Sequence, residues 1–211
     1  IYNTATCLKS VYLVADAIFL VDNQRYLIKD LSIQDNLAKI NAMIVEPFYN
    51  LLCAGEERKA RYIGSRMLDA GDIIQTLAGW TVIGYGKSQM PLFKFPFGAS
   101  GFREKPTESQ RGVQAMNDAI SGLSLKCNPS DAKRALYLLS APPEEINMSL
   151  INEMGSSLKH IATEAIIRGG DYPREKRSLD VSLILSELLN VGKVMDYFTT
   201  AIQYISSYKK C

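Results

Sequence analysis

Apolar residues recur along this chain at two spacings, and those spacings divide it into helices and strands. Ile33, Leu37, Ile40, Ile44, Phe48 and Leu51 step by three or four positions, which predicts a long helix over about 33–53 with one apolar face. The same period predicts helices around Val113, Met116, Ile120 and Leu123, around Ile151, Met154, Leu158 and Ile161, and from Val191 through Phe198 to Ile205. A further helix is read over 4–14. Short continuous apolar runs predict strands at Ala17 to Val21, Thr81 to Tyr85, Ala135 to Ser140 and Leu179 to Leu185, with another over 164–168. The first run reads as a strand buried on both faces, ending abruptly at Asp22-Asn23. Pro47 removes a backbone donor inside the long helix and predicts a kink or local adjustment there. Lys87 to Pro106 reads as a long connection, and Gly169 to Pro173 as a turn.

Composition narrows the function classes. The chain has 211 residues, 47% of them hydrophobic and 22% charged, enough for a packed core and ordinary for a globular protein. Its 24 Lys+Arg against 22 Asp+Glu leave a net charge of only +2, which argues against a dedicated nucleic-acid surface. The basic clusters at 58–61 and 174–177 carry no interleaved stacking platform and read as solvated loops. Cys7, Cys53, Cys127 and Cys211 lack paired spacing, so no zinc site or disulfide framework is expected and a reducing cytoplasm fits best. No apolar run is long enough for a transmembrane helix. The one histidine, His160, lies on a predicted amphipathic helix and is expected to be structural or on the surface. No phosphate-cradling G-x-x-x-x-G-K-[ST] run occurs.

Two groups of polar residues stand out as candidate chemistry. Asp69 and Asp72, three residues apart in Asp69-Ala70-Gly71-Asp72-Ile73-Ile74-Gln75-Thr76-Leu77, place two carboxylates at the start of a helix. Helix capping accounts for such a pair as readily as catalysis does, since Asp69 is placed to cap and Asp72 to favour the helix dipole. Asn23 follows the first strand, where ligands sit beyond strand ends in open parallel sheets, and its amide offers a donor and an acceptor to a base edge. Turn formation is the plainer reading of Asp22-Asn23. Asn41 interrupts the apolar face of the long helix, either at the margin of the core or as a ligand contact.

These residues, in this order, resemble the FtsZ/tubulin superfamily. Leu20-Val21-Asp22-Asn23 followed by a long helix with Lys39-Ile40-Asn41 is similar to the guanine-reading half of its GTPase domain, and Asp69 to Leu77 with Ile83-Gly84-Tyr85 is closest to the archaeal tubulin-like CetZ proteins. The resemblance implies α/β and α+β architecture: the end of a Rossmann-like GTPase domain over 1–30 and a central connecting helix over 31–54. A C-terminal domain with a mixed four-stranded sheet and flanking helices would follow over 55–211, carrying the acidic loop at 65–77. It also implies that Asn23 and Asn41 contact the guanine of GTP or GDP, that magnesium neutralises the phosphates, and that subunits join head to tail in cytoplasmic filaments. Asp69 and Asp72 would then complete GTP hydrolysis on the neighbouring subunit. The family's glycine-rich phosphate loops are not among these residues, so the chain reads as the second half of a longer GTPase and is expected to be inactive alone. The alternative is a non-catalytic tubulin-like scaffold, for which Leu37, Met67 and the missing phosphate loops leave room. A small-molecule enzyme with a cleft in the C-terminal domain has no acid and base at convincing spacing to support it.

Overall fold

The computed structural model describes residues 1–27, 32–56, 64–89, 104–175 and 177–208. Among these residues, α1 (Tyr2–Tyr12), β1 (Ala17–Phe19) and a 3-10 turn (Asn23–Tyr26) are followed by the long α2 (Ile33–Glu56) and the short α3 (Ala70–Thr76). Then come β2 (Gly79–Gln89), α4 (Glu104–Ser121), β3 (Ala132–Ala141), α5 (Met148–Ile161), β4 (Ile166–Pro173), β5 (Ser178–Leu188) and α6 (Gly192–Tyr208). The strands form one sheet in the order β1-β2-β5-β3-β4. β5 runs antiparallel to both its neighbours, while β1 with β2 and β3 with β4 are parallel. The expected mixed four-stranded sheet is thus β2 to β5, and β1 joins it as a fifth strand at the β2 edge.

Alternation along the strands feeds two cores, because successive side chains point to opposite faces. On one face Val82, Tyr137, Leu139, Val181 and Leu183 meet Met116 and Ala119 of α4 and Ile151, Met154 and Leu158 of α5. On the other, Ile83, Leu136, Leu138 and Ile184 meet Leu51 of α2, Leu68 of the segment before α3 and Ile73 of α3. The helix α4 crosses β2 so closely that a Cβ at Gly84 or Gly86 would run into the carbonyl oxygens of Ala119 and Ala115.

Several sequence expectations need correction. Gly169 to Pro173 is not a turn but the second half of β4, so the strand expected over 164–168 is displaced and lengthened. Gly169 faces the Tyr137 ring and Gly170 faces Arg66 and Leu68, where larger residues would not fit. Pro173 is tolerated because it ends an edge strand. β1 is half-buried rather than covered on both faces. The helix α2 passes through Pro47 without a break in its assigned span. Arg174 is not solvated as its basic cluster predicted, since its guanidinium lies over the Tyr172 ring, 5.3 Å from the centroid, with Nε and one terminal nitrogen buried. The cluster at 58–61 and most of the connection expected over 87–106 lie outside the described residues.

Candidate functional site

The acidic pair sits at the start of α3, where sequence and geometry agree. Asp69 adopts an extended backbone and its Oδ1 accepts a hydrogen bond from the Asp72 amide at 2.8 Å, a helix cap. Asp72 lies in the first turn, and its Oδ1 is 3.3 Å from Nε of Arg168 on β4. Arg168 also donates to the side-chain oxygen of Gln75 at 2.7 Å, and Arg134 of β3 donates to the Gln75 carbonyl at 2.7 Å. Two arginines of the sheet thus hold the exposed end of α3, while Ile73 anchors its inner side in the core. The carboxylates stay accessible: Asp69 is exposed and the Asp72 side chain retains 37% of its exposure. Capping and a chemical role are therefore compatible, because Asp69 uses one carboxylate oxygen for the cap.

The segment leading into this helix is fastened to β4. Asp171, 4% exposed, accepts hydrogen bonds from the amide of Ser65 at 2.9 Å and from that of Arg66, and its own amide donates to the Arg66 carbonyl at 2.8 Å. Burial pushes the Asp171 carboxyl above its ordinary range, against the opposing pull of the Arg66 and Ser65 amides. Sequence reasoning missed both Asp171 and Arg168. The available signal was an acid directly after two glycines and two residues before Pro173, which resembles turn chemistry unless the strand is already known.

The two asparagines occupy elements that touch each other. Ser124 fixes the end of β1 by donating to the Leu20 carbonyl at 2.6 Å, while its own carbonyl accepts from the Asp22 amide at 2.7 Å. Asp22 then caps the 3-10 turn, accepting from the Gln24 amide at 3.2 Å, and pairs with Lys193 at 2.6 Å. Arg25 and Tyr26 tie the turn to the carbonyls of Ser121 and Gly122. Asn23 is consequently held on a fixed turn beside α2, exposed, with no side-chain hydrogen bond among the described residues. Asn41 is also exposed on α2 rather than at a buried margin. It lies about 15 Å along the helix axis from Leu51, the α2 residue that packs in the core with Ile73. Within one chain, Asn23 follows one edge strand, β1, and the segment leading to the acidic pair is bonded to the other, β4.

Other polar groups have local duties. The Tyr85 hydroxyl donates to Asp180 at 2.8 Å and lies 3.3 Å from Glu46 of α2. Burial first, then the charges of Asp180 and Glu46, push its titration far above the ordinary tyrosine value, so it remains a donor. His160 is exposed in the last turn of α5. Among the described residues, no group of three or more His, Cys, Asp or Glu side chains gathers where it could hold a metal ion, and no helix is long and apolar enough to cross a membrane.

This order of elements has counterparts in known proteins. The sequence model of the tubulin-like CetZ C-terminal domain matches residues 30–203. The chain belongs to the tubulin-like CetZ family. CetZ1 of Haloferax volcanii is 27% identical over 216 residues, covering 95% of this chain and 55% of the relative. Among solved structures, CetZ2 from Haloferax volcanii, a GTPgS-bound protofilament, matches 99% of this chain and 57% of its own with a TM-score of 0.81 at 24% identity. FtsZ of M. jannaschii matches 89% of this chain with a TM-score of 0.66 at 14% identity, so the fold is that of the wider FtsZ group as well. The chain spans about half the length of the curated CetZ relatives it matches.

Proposed function

We propose that this CetZ chain is the acid-supplying part of a GTP-dependent, filament-forming GTPase. Asp69 and Asp72 face the nucleotide of the next subunit in a head-to-tail contact, and Asn23 and Asn41 read the guanine held by their own subunit. The observation that carries this reading is the separation of Asn23, on the turn that follows edge strand β1, from the acidic pair, held to the opposite edge strand β4 through Arg168. A head-to-tail contact that does not close repeats into a filament, which brings the acidic loop of one subunit to the nucleotide of another. Residues 1–30 would then close the nucleotide-bearing unit and α2 would connect it to the rest. Val45, Tyr49 and Leu52 of α2 expose apolar surface beside Phe19 and Ile83 of the sheet, which suits cover by further protein.

In this reading Asp69 and Asp72 orient and polarise the water that attacks the terminal phosphate, a reaction governed mainly by positioning and charge. Magnesium supplies charge neutralisation at the phosphates. The carboxylates here are already engaged by an amide and a guanidinium, so we assign it no ligand from this chain.

A conservative substitution separates the chemical role from the cap. Asn caps as well as Asp does but carries no charge. In the full-length protein, Asp69→Asn is expected to keep its thermal stability while GTP turnover falls by roughly 10- to 1,000-fold at unchanged GTP affinity. Asn23→Ala and Asn41→Ala should weaken GTP binding instead. Full turnover in Asp69→Asn, with only a stability loss in Asp69→Ala, would assign the residue to capping and favour the scaffold alternative.

A further inference from the structure

The loop that presents the acidic pair has almost no core of its own. Between Gly64 and Asp69 only Leu68 is buried, at 3% exposure, while Ser65, Arg66 and Met67 are exposed. Such a segment is held by its main chain, and its main-chain bonds go to one strand. Both oxygens of the Asp171 carboxylate accept consecutive loop amides, and the Asp171 amide returns a bond to Arg66. Glycines on both sides permit this closeness. A Cβ at Gly170 would meet Leu68 Cγ at 2.6 Å and the Arg66 carbonyl oxygen at 2.8 Å, and one at Gly64 would meet Asp171 Oδ2 at 2.6 Å. On the far side of the pair, Arg168 of the same strand holds Asp72 and Gln75.

We infer that Asp171 is a positioning residue for GTP hydrolysis, acting through the main-chain amides of Ser65 and Arg66 to fix where Asp69 stands. The inference rests on the role proposed for Asp69 and Asp72. Asp69 follows Arg66 by three residues, a leash of at most about 10 Å, so loss of the anchor lets the carboxylate wander by more than catalysis tolerates. A buried carboxylate is a costly way to stabilise a strand. Its chemistry suits this place because an apolar residue would leave two amides without acceptors, and an amide side chain would set its NH2 donor where one of the two acceptor oxygens stands.

The test measures GTP turnover, KM for GTP and thermal unfolding in full-length Asp171→Asn, Asp69→Asn and the double variant. Asp180→Asn serves as the control, because it loses a buried carboxylate that bonds Tyr85 rather than the loop. Asp171→Asn is expected to lower kcat about 10- to 100-fold at unchanged KM, whereas Asp180→Asn keeps kcat within about twofold. The double variant should turn over no more slowly than Asp69→Asn alone, because two residues serving one group are not additive. Should Asp171→Asn fail to fold, Gly170→Ala disturbs the same anchor from the Leu68 side and is expected to reproduce the kcat loss. Wild-type kcat in a folded anchor variant, or a double variant slowed by the product of the single effects, overturns the inference alone. Wild-type turnover in Asp69→Asn removes the acidic-pair reading and this inference together.

Discussion

Single side chains in this protein take their character from burial more than from their neighbours in sequence. Cys127 shows this in its reactivity. Burial, outweighing the nearby Arg25, pushes its thiol up to about 11, whereas Cys7 is exposed on α1. Only the thiolate reacts with alkylating agents, and at pH 8 about one Cys127 in a thousand is ionised. Iodoacetamide at pH 8 should therefore label Cys7 long before Cys127, and Cys127 labelling should rise about tenfold per pH unit up to pH 10, read by mass spectrometry of the folded protein. Equal labelling at pH 8 would refute the half-buried placement of Cys127. The same dependence on burial explains which site residues were legible. Asp69 and Asp72 announce themselves because capping has a local sequence signature, and Asn23 because a strand ends beside it. Asp171 does not, since its partners at Ser65 and Arg66 lie more than 100 positions away and only folding brings them together.

Among the elements, α2 is distinctive for resting on the sheet through a partly polar seam. Glu46 reaches Tyr85, which bonds Asp180, and one turn later Asn50 is 1% exposed with no hydrogen-bond partner for either polar atom among the described residues. A buried unsatisfied amide costs about 1–3 kcal/mol. Asn50→Leu, similar in size, is expected to raise stability by about 1–2 kcal/mol and the melting temperature by several degrees, measured by calorimetry. A lowered melting temperature would mean the amide has partners in solution. Periodicity revealed the helices well, because Leu51, Met116, Met154 and Leu158 are buried as their spacing requires. It was a weaker guide to which face stays covered. Met195 and Ile202 of α6 belong to the same apolar series, yet they are exposed at 55% and 64%. Only the first part of β4 was read as a strand, because its second half is built from Gly169, Gly170, Asp171 and Pro173, residues that suit close approach rather than strand propensity.

At the level of the whole molecule, the sheet and its two cores would let one chain carry the two half-sites proposed above. Asn23 stands just after β1, and the acidic loop is strapped to β4 at the opposite edge of the same sheet. A complete site then needs two molecules, and that is the central claim. The most direct test mixes equal amounts of two full-length variants that are each expected to be impaired for a different reason: Asp69→Asn, which should bind GTP but lack the acid, and Asn23→Ala, which should keep the acid but bind GTP poorly. In mixed filaments, about a quarter of the contacts would join a GTP-bound subunit to an intact acidic loop. The predicted result is turnover at about a quarter of the wild-type rate, rising with protein concentration. A mixture no faster than the sum of its two components would contradict a site shared between subunits.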